Sequence, residues 1–206
     1  AACAGAGMSI EKPIGFSGRV LSQREDEMQE FLSILRRNYV RSYLEIGARE
    51  GDMFHEVMTN LPRGARGIAV DLPGALWGKK QSRELLDKAI ADLIERGYNV
   101  RAIYGSSHDE AVIREVSGEA PFDAVFIDAD HTYAAVLRDW LDYGSLGKIV
   151  AFHDIDGFGE QTKAGEPVQV PELWSDLERR FRSQKIVGKV RGMGIGVLYV
   201  QEPIKP

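Results

Sequence analysis

The fold of this 206-residue chain is decided by the stretch Tyr43-Leu44-Glu45-Ile46-Gly47-Ala48-Arg49-Glu50-Gly51. It opens with an apolar run interrupted only by Glu45, which predicts a buried strand. Two glycines then mark a turn, and Asp52 stands where the next helix is expected to begin. Strand, glycine turn and helix start are typical of the opening unit of a nucleotide-binding fold, because glycine lets the backbone approach a ligand closely.

A second acidic residue strengthens this interpretation. The run Gly67-Ile68-Ala69-Val70-Asp71 predicts the next buried strand, with an acid at its carboxyl end. Asp71 follows Gly51 by 20 residues, which is the separation expected for a carboxylate that binds ribose hydroxyls. The glycines differ from the dinucleotide fingerprint, which places three of them around a pyrophosphate. Glu45 at the turn would repel a pyrophosphate but attract an ammonium group.

The glycine turn and Asp71 together resemble the first two motifs of the class I S-adenosylmethionine-dependent methyltransferases. The resemblance continues through Phe122-Asp123-Ala124-Val125-Phe126-Ile127-Asp128-Ala129-Asp130-His131 and Ile149-Val150-Ala151-Phe152-His153-Asp154. These segments are similar to small-molecule O-methyltransferases of antibiotic and glycan biosynthesis, some of which depend on magnesium. The resemblance implies S-adenosylmethionine as cofactor and a small hydroxylated methyl acceptor, such as a sugar or natural product.

The remaining elements fit a Rossmann-like α/β fold with a seven-stranded, mostly parallel sheet, helices on both faces and a C-terminal antiparallel hairpin. Apolar patterns predict helices over 25–38 and 82–96 and strands over 99–104, 122–128 and 148–152. The hairpin is predicted from 185–190 and 195–200, which flank a glycine-containing turn. The long segment 155–170 is interpreted as a substrate loop or lid. Ser107 and Glu110 have the spacing of a helix capping box.

Polar residues follow five successive strands of this predicted sheet. The carboxyl ends of parallel strands share one edge, where ligands bind near the reversal of strand order. The resemblance implies that the turn at Ser106 and Ser107 lies beside the adenine of the cofactor. Either serine is an equally good candidate for capping the following helix. With the resemblance, the predicted cofactor-binding residues are Glu45, Gly47, Ala48, Arg49, Gly51, Asp71, Leu72, Gly105, Ser106, Ser107, Asp128 and His131.

The candidate catalytic residues are His131, His153 and Asp154. A hydroxyl acceptor needs a base to remove its proton, and imidazole suits proton transfer near neutrality. Asp128 and Asp154 are oxygen ligands that suit Mg²⁺. His153, however, stands where the resembled metal-dependent enzymes have an oxygen ligand, and imidazole binds Mg²⁺ poorly. A histidine base and magnesium assistance both remain open, as do a cofactor contact for His131 and a structural role for His153.

Composition argues against several classes of partner. The formal net charge of −5 at pH 7 gives no basic field for nucleic acid or an anionic membrane. We find no apolar run that approaches the roughly 20 residues needed to cross a bilayer. Cys3 is the only cysteine, which rules out an intramolecular disulfide and suits a cytoplasmic location. We therefore expect neither a nucleic-acid partner nor membrane insertion.

The simplest organisation is one methyltransferase domain over residues 8–206. Residues 1–7 lack the pattern of a signal peptide and are interpreted as a remnant of the expression vector. The segment 8–20, with Pro13 and two glycines, predicts an irregular arm that is a candidate for dimerisation into a homo-oligomer. Two alternative functions remain: an NAD(P)-dependent oxidoreductase on a Rossmann fold, which Glu45 disfavours, and a non-catalytic methyltransferase-like binding module.

Overall fold

A seven-stranded sheet forms the centre of the molecule. The computed structural model describes residues 13–18, 25–74, 81–157, 160–161, 165, 167–188 and 193–203. The strands are β1 (Ser42–Ile46), β2 (Arg66–Asp71), β3 (Asn99–Tyr104), β4 (Phe122–Ile127), β5 (Gly147–His153), β6 (Phe181–Ile186) and β7 (Ile195–Pro203). They lie in the order β3-β2-β1-β4-β5-β7-β6. Strands β1 to β5 are parallel and β7 is antiparallel to both of its neighbours, which confirms the predicted fold class.

Helices cover both faces of this sheet. They are α1 (Glu25–Arg37), α2 (Asp52–Asn60), α3 (Ser82–Glu95), α4 (Glu110–Ser117), α5 (Tyr133–Tyr143) and α6 (Val170–Leu177). One apolar cluster joins α1, α2 and α3 to the sheet, and a second joins α4, α5 and α6 to its other face. Every residue of β1 is buried, as expected for a central strand of a parallel sheet that is covered on both faces. Across the described ranges, no helix has the length and apolar character needed to cross a membrane.

The predicted C-terminal hairpin is confirmed, but its first strand begins earlier than predicted. The sequence indicated residues 185–190, whereas β6 covers Phe181–Ile186 and pairs Ile186 with Ile195. Because β6 is the edge strand, half of its residues are exposed and polar, so no apolar run in the sequence marks where the strand begins. Residues 189–192, which include part of the predicted strand and turn, lie outside the described residues.

The described part of the N-terminal arm packs against α2. The amide and hydroxyl of Ser17 donate to the two carboxylate oxygens of Asp52 at 2.7 and 2.6 Å. The ring of Phe16 stacks on His55 with 4.3 Å between centroids. The arm therefore contacts its own chain at residues 13–18, and its role in dimerisation stays a prediction. The predicted vector remnant, residues 1–7, lies outside the described residues.

Gly47 is needed where the chain leaves β1. Its φ is +92°, and an added Cβ would lie 2.2 Å from the carbonyl oxygen of Asp128 and 2.7 Å from Cα of Ala129. We expect Gly47→Ala to lower the free energy of unfolding by about 2–5 kcal/mol, because left-handed strain adds to a clash with rigid backbone. Urea denaturation would measure this loss.

Gly64→Ala is the matched control for that substitution. Gly64 has a similar φ of +79°, but an added Cβ there would have nothing within 4 Å. The control should lose only the strain of the left-handed conformation, about 1–2 kcal/mol. Equal losses in the two variants would contradict the steric explanation for Gly47.

Candidate active site

The glycine turn is fixed between two strands where the strand order reverses. β1 lies between β2 and β4 at the centre of the sheet. The amides of Gly47 and Ala48 both donate to the carbonyl of Val70, at 2.9 and 3.1 Å, and the Asp128 amide donates to the carbonyl of Ile46 at 2.9 Å. The ends of β1, β2 and β4 are thereby held together at the edge where ligands bind in open α/β sheets.

Only one of the two carboxylate oxygens of Asp71 has a hydrogen-bond partner among the described residues. Its Oδ1 accepts a hydrogen bond from the Arg49 amide at 2.9 Å, while Oδ2 is buried and has no hydrogen-bond partner among the described residues. Burial raises the pKa of Asp71 to about 6, although the Arg49 amide acts in the opposite direction. A buried oxygen without a donor is costly, so this atom fits the role of acceptor for a ligand hydroxyl.

Glu45 lies buried at the carboxyl end of β1, and Tyr43 contacts it. The Tyr43 hydroxyl donates to Oε2 of Glu45 at 2.6 Å. Burial raises the pKa of Glu45 to about 8; the Tyr43 hydrogen bond lowers it, and the carboxylates of Asp128 and Asp71 raise it. Tyr43 was not predicted from the sequence as a site residue. The sequence does contain an indication of this contact: Tyr43 and Glu45 are two residues apart, which places both side chains on the same face of a strand.

The turns after β2 and β3 lie beside each other. The Gly105 amide donates to the carbonyl of Asp71 at 3.0 Å, which brings Gly105, Ser106 and Ser107 next to the end of β2. Leu72, directly after β2, is exposed, and Ala48 is buried in the core. Gly51 and Arg49 have φ of 80° and 50°, and α2 begins at Asp52 as predicted. The predicted cofactor positions therefore share one edge of the sheet.

The prediction that Ser107 caps α4 is wrong. The helix begins at Glu110, and Asp109 occupies the residue before it. The hydroxyl oxygen of Ser106 accepts a hydrogen bond from the His108 amide at 3.2 Å, which holds the chain in a turn. The helix therefore starts two residues later than the capping-box pattern requires, and both serines remain in the turn beside Asp71.

Two aspartates and two histidines form a buried cluster after β4 and β5. Nε2 of His131 lies 3.4 Å from Oδ1 of Asp128 and 3.2 Å from Oδ2 of Asp154. Nδ1 of His153 lies 3.3 and 3.5 Å from the same two oxygens. The structure thus brings together all the residues that were predicted to be catalytic or metal-binding.

The four groups of this cluster stabilise one another's charged forms. Burial alone would lower the pKa of His153, but Asp128 and Asp154 raise it well above its usual value. The pKa of His131 is likewise raised by both carboxylates against the effect of burial. In turn the histidines hold the pKa of Asp128 and of Asp154 below the usual value, although burial opposes this. Both carboxylates are therefore ionised near neutral pH.

The long segment after β5 contacts the loop that carries His131. The amide of Gln169, just before α6, donates to the carbonyl of His131 at 2.7 Å, and its side-chain oxygen accepts from the Tyr133 amide at 3.2 Å. Thr132 is the residue directly before α5. The described end of segment 155–170 is therefore fixed beside the cluster.

The donor set of the cluster does not fit Mg²⁺ well. One ligand atom each from Asp128, His131 and Asp154 lies within 4.8 Å of the others, which is close enough to surround a cation. Mg²⁺ prefers oxygen ligands, however, and the imidazoles of His131 and His153 face both carboxylates. Mixed nitrogen and oxygen ligands suit ions such as Zn²⁺ or Fe²⁺ better.

This fold and this edge define a class of protein. A central reversal of strand order, an acidic glycine turn after β1, an acid after β2 and an antiparallel β7 are the features of a class I S-adenosylmethionine-dependent methyltransferase. The model of a family described as a methyltransferase domain matches residues 44–155. That range is more than half of the chain and contains every site residue predicted from the sequence. The chain belongs to this methyltransferase family.

Solved structures share the fold at low sequence identity. The O-methyltransferase TomG from Streptomyces achromogenes, involved in tomaymycin synthesis and solved with S-adenosylmethionine, is 19% identical with a TM-score of 0.64 over 89% of this chain and 84% of that chain. An O-methyltransferase from Bacillus cereus in complex with S-adenosylhomocysteine is 18% identical, with a TM-score of 0.60 over 86% and 82%. Cofactor-bound Rv0187 from MTB is 16% identical, with a TM-score of 0.63 over 89% and 84%. No curated protein sequence matches the chain significantly.

Proposed function

We propose that the protein transfers the methyl group of S-adenosylmethionine to a hydroxyl of a small molecule, such as a sugar or natural product. The observation that carries this proposal is the cluster of Asp128, His131, His153 and Asp154 at the same sheet edge as Asp71. Bound S-adenosylmethionine supplies a methyl group activated by its sulfonium charge. The shared fold of O-methyltransferases such as TomG supports an oxygen acceptor.

The cofactor end of the site is assigned to the turns after β1, β2 and β3. Oδ2 of Asp71 would accept from a ribose hydroxyl, since it is buried without a partner among the described residues. Glu45 would receive the ammonium group of the cofactor, and the turn at Ser106 and Ser107 would contact the adenine. These contacts would orient the bound cofactor towards the cluster, which favours the reaction by proximity.

We assign the base to His131. Its Nε2 faces Asp128 and Asp154 and therefore carries the proton in the neutral ring, so Nδ1 would accept the proton of the acceptor hydroxyl. The two carboxylates would stabilise the imidazolium that forms. The side chain of His131 is 12% exposed and that of His153 is 4% exposed, so His131 is the more accessible ring, although its Nδ1 is itself buried. His153 contacts the same two carboxylate oxygens. A base in this position typically contributes about 10²–10⁴-fold to the rate.

Magnesium assistance is the alternative form of this proposal, with Asp128 and Asp154 as ligands. Because imidazoles face both carboxylates, we expect millimolar Mg²⁺ to leave the melting temperature of the protein unchanged, with or without S-adenosylhomocysteine. Differential scanning fluorimetry would measure this. A rise in melting temperature with Mg²⁺ that Asp154→Asn removes would contradict the histidine base and support the metal.

Binding of S-adenosylhomocysteine should strengthen with pH. The pKa of Glu45 is raised to about 8, so this acid is mostly neutral below that pH and must lose its proton to pair with the ammonium group. We expect affinity to rise by about tenfold per pH unit between pH 6 and 8 and then to level off. Calorimetry with Glu45→Gln is the control, because this variant has no proton to lose at position 45 and any remaining rise near pH 6 comes from Asp71. A flat profile in the wild type would contradict the role of Glu45.

Thermal shifts test the proposed function directly. A ligand at about 100 times its Kd adds about 2.7 kcal/mol of stability, which corresponds to a rise of roughly 5–11 °C for a domain of this size. S-adenosylhomocysteine should produce such a rise and NADH should not. The absence of a shift with either sulfur ligand would overturn the proposal. A response to NADH alone would favour the oxidoreductase alternative.

The proposal extends to the organisation of the chain. One methyltransferase domain over residues 8–206 is supported by the sheet, whose seven strands lie between residues 42 and 203. A cytoplasmic location is supported by the single cysteine of the sequence. Limited proteolysis of the purified protein should give one resistant core, and two cores of comparable size would contradict the single domain.

A further inference from the structure

Tyr43 and Glu45 form a buried pair on the face of β1 that packs against α2. The two side chains point the same way because they are two residues apart in a strand. The Tyr43 ring lies 5.8 Å from the ring of Phe54, centroid to centroid, and its hydroxyl donates to Oε2 of Glu45 at 2.6 Å. Tyr43 is fully buried and Glu45 is 2% exposed. The hydroxyl therefore has little freedom to turn towards another acceptor.

The surroundings of this pair favour a positive charge. Glu45 is faced by the phenol of Tyr43 and by the carboxylates of Asp128, at the end of β4, and Asp71, at the end of β2. Burial, and then the charge on Glu45, raise the pKa of Tyr43 well above its usual value, so the phenol stays protonated and remains a donor. With Oε2 directed at this donor, Oε1 is the oxygen that can accept from an arriving ammonium group.

We infer that Tyr43 is a positioning residue for the amino-acid end of the cofactor, since it orients the Glu45 carboxylate towards the cofactor ammonium. This inference rests on the proposed function. Tyr43 does not touch the reacting atoms. Its contribution is selectivity for ligands that carry the ammonium group over ligands that contain only the adenosine part.

Two ligands separate this role from a general structural role. S-adenosylhomocysteine carries the ammonium group, whereas 5′-methylthioadenosine has the same adenosine and thioether without it. Tyr43→Phe should lower the affinity for S-adenosylhomocysteine by about tenfold, as expected for a lost hydrogen bond to a charged group. Its affinity for 5′-methylthioadenosine should not change. Calorimetry with both ligands, at one pH, measures the difference.

The pH profile is a second readout that a structural role would not move. The hydrogen bond from Tyr43 lowers the pKa of Glu45, so its removal makes ionisation of Glu45 harder. The rise of S-adenosylhomocysteine affinity should therefore occur at higher pH in Tyr43→Phe than in the wild type. Binding of 5′-methylthioadenosine should show no such rise in either protein.

Tyr98→Phe is the matched control. The Tyr98 hydroxyl lies 3.3 Å from the carbonyl oxygen of Leu61, at the amino end of β3 and therefore at the opposite edge of the sheet. Loss of this hydroxyl should leave both affinities unchanged. Glu45→Gln, in contrast, should remove the preference for S-adenosylhomocysteine while keeping 5′-methylthioadenosine binding.

The possible outcomes distinguish this inference from the proposed function. Equal weakening of both ligands in Tyr43→Phe, or no weakening of either, would overturn the positioning role. Persistence of the preference in Glu45→Gln would place the ammonium site elsewhere and overturn it as well. In these three cases wild-type binding, and with it the proposed function, stands. A wild-type protein that binds neither ligand would overturn the proposed function itself.

Discussion

His131→Ala should lower the rate of methyl transfer by about 10²–10⁴-fold, which is the usual contribution of a general base. The imidazole lies 3.2 Å from Asp154 and 3.4 Å from Asp128. These carboxylates stabilise the protonated ring that forms as the acceptor hydroxyl reacts. The assay measures transfer of labelled methyl groups to the best acceptor found in a panel of phenols, catechols and sugars. Affinity for S-adenosylhomocysteine should change little.

The role of His131 is decided by whether His131→Ala lowers the rate of methyl transfer, the affinity for S-adenosylhomocysteine, or both. A parallel loss of S-adenosylhomocysteine affinity would assign this residue to cofactor binding, which the sequence analysis also left open. His55→Ala is the matched control, since His55 is a buried histidine on α2 that contacts Asp92 at 2.7 Å and is not part of the cluster. A comparable loss of rate in His55→Ala would show that general destabilisation explains both variants.

The central strands were predictable because burial on both faces leaves a clear mark in the sequence. β1, β2 and β4 are short, mostly apolar strands whose carboxyl ends lie at the ligand edge. β2 ends at Asp71, while Gly47 follows β1 and Asp128 follows β4. β6 carries no such mark. It is an edge strand with Arg182 and Ser183 exposed, and its position depends on pairing with β7, which is a long-range contact.

The sequence was enough to predict which residues lie at the site, but not which of their atoms are in contact. Strand ends indicated that Asp128 and His153 share an edge, but the distances between their atoms depend on how β4 and β5 pair. The hydrogen bond from Tyr43 to Glu45 depends on side-chain orientation, which an apolar pattern does not record. The turn at Ser106 depends on the hydrogen bond from the His108 amide to the Ser106 hydroxyl oxygen, a local arrangement that the capping-box pattern does not describe.

Asp71→Ala should lower the affinity of the protein for S-adenosylhomocysteine by about 10²–10⁴-fold. A ribose-binding carboxylate accepts from two hydroxyls, and each hydrogen bond to a charged group contributes about 1.5–3 kcal/mol. The structure supports this role because Oδ1 is held by the Arg49 amide at 2.9 Å, which orients Oδ2. Asp71→Asn retains one carbonyl oxygen at this position and should lose less affinity than Asp71→Ala. Calorimetry would measure both variants.

Asp123→Ala is the control for Asp71→Ala, because it also removes an acidic side chain at the end of a strand. Asp123 lies at the amino end of β4, on the opposite edge, where it accepts from Lys148 at 2.7 Å. Its loss should reduce stability without changing S-adenosylhomocysteine affinity. A similar loss of affinity in both variants would show that the effect comes from stability and not from a ribose contact.

The pH dependence of stability separates binding from folding in Asp71→Ala. The pKa of Asp71 is raised to about 6 in the folded protein, above the value of about 3.9 for an unfolded chain. Its stabilising contribution is therefore present at low pH and is lost as the pH rises through about 6. In urea titrations Asp71→Ala should lose less stability than the wild type between pH 4.5 and 7.5, since Glu45, whose pKa is also raised, still titrates in the variant. Destabilisation at neutral pH would then not explain its weak binding. A variant that still bound S-adenosylhomocysteine like the wild type would place the ribose elsewhere.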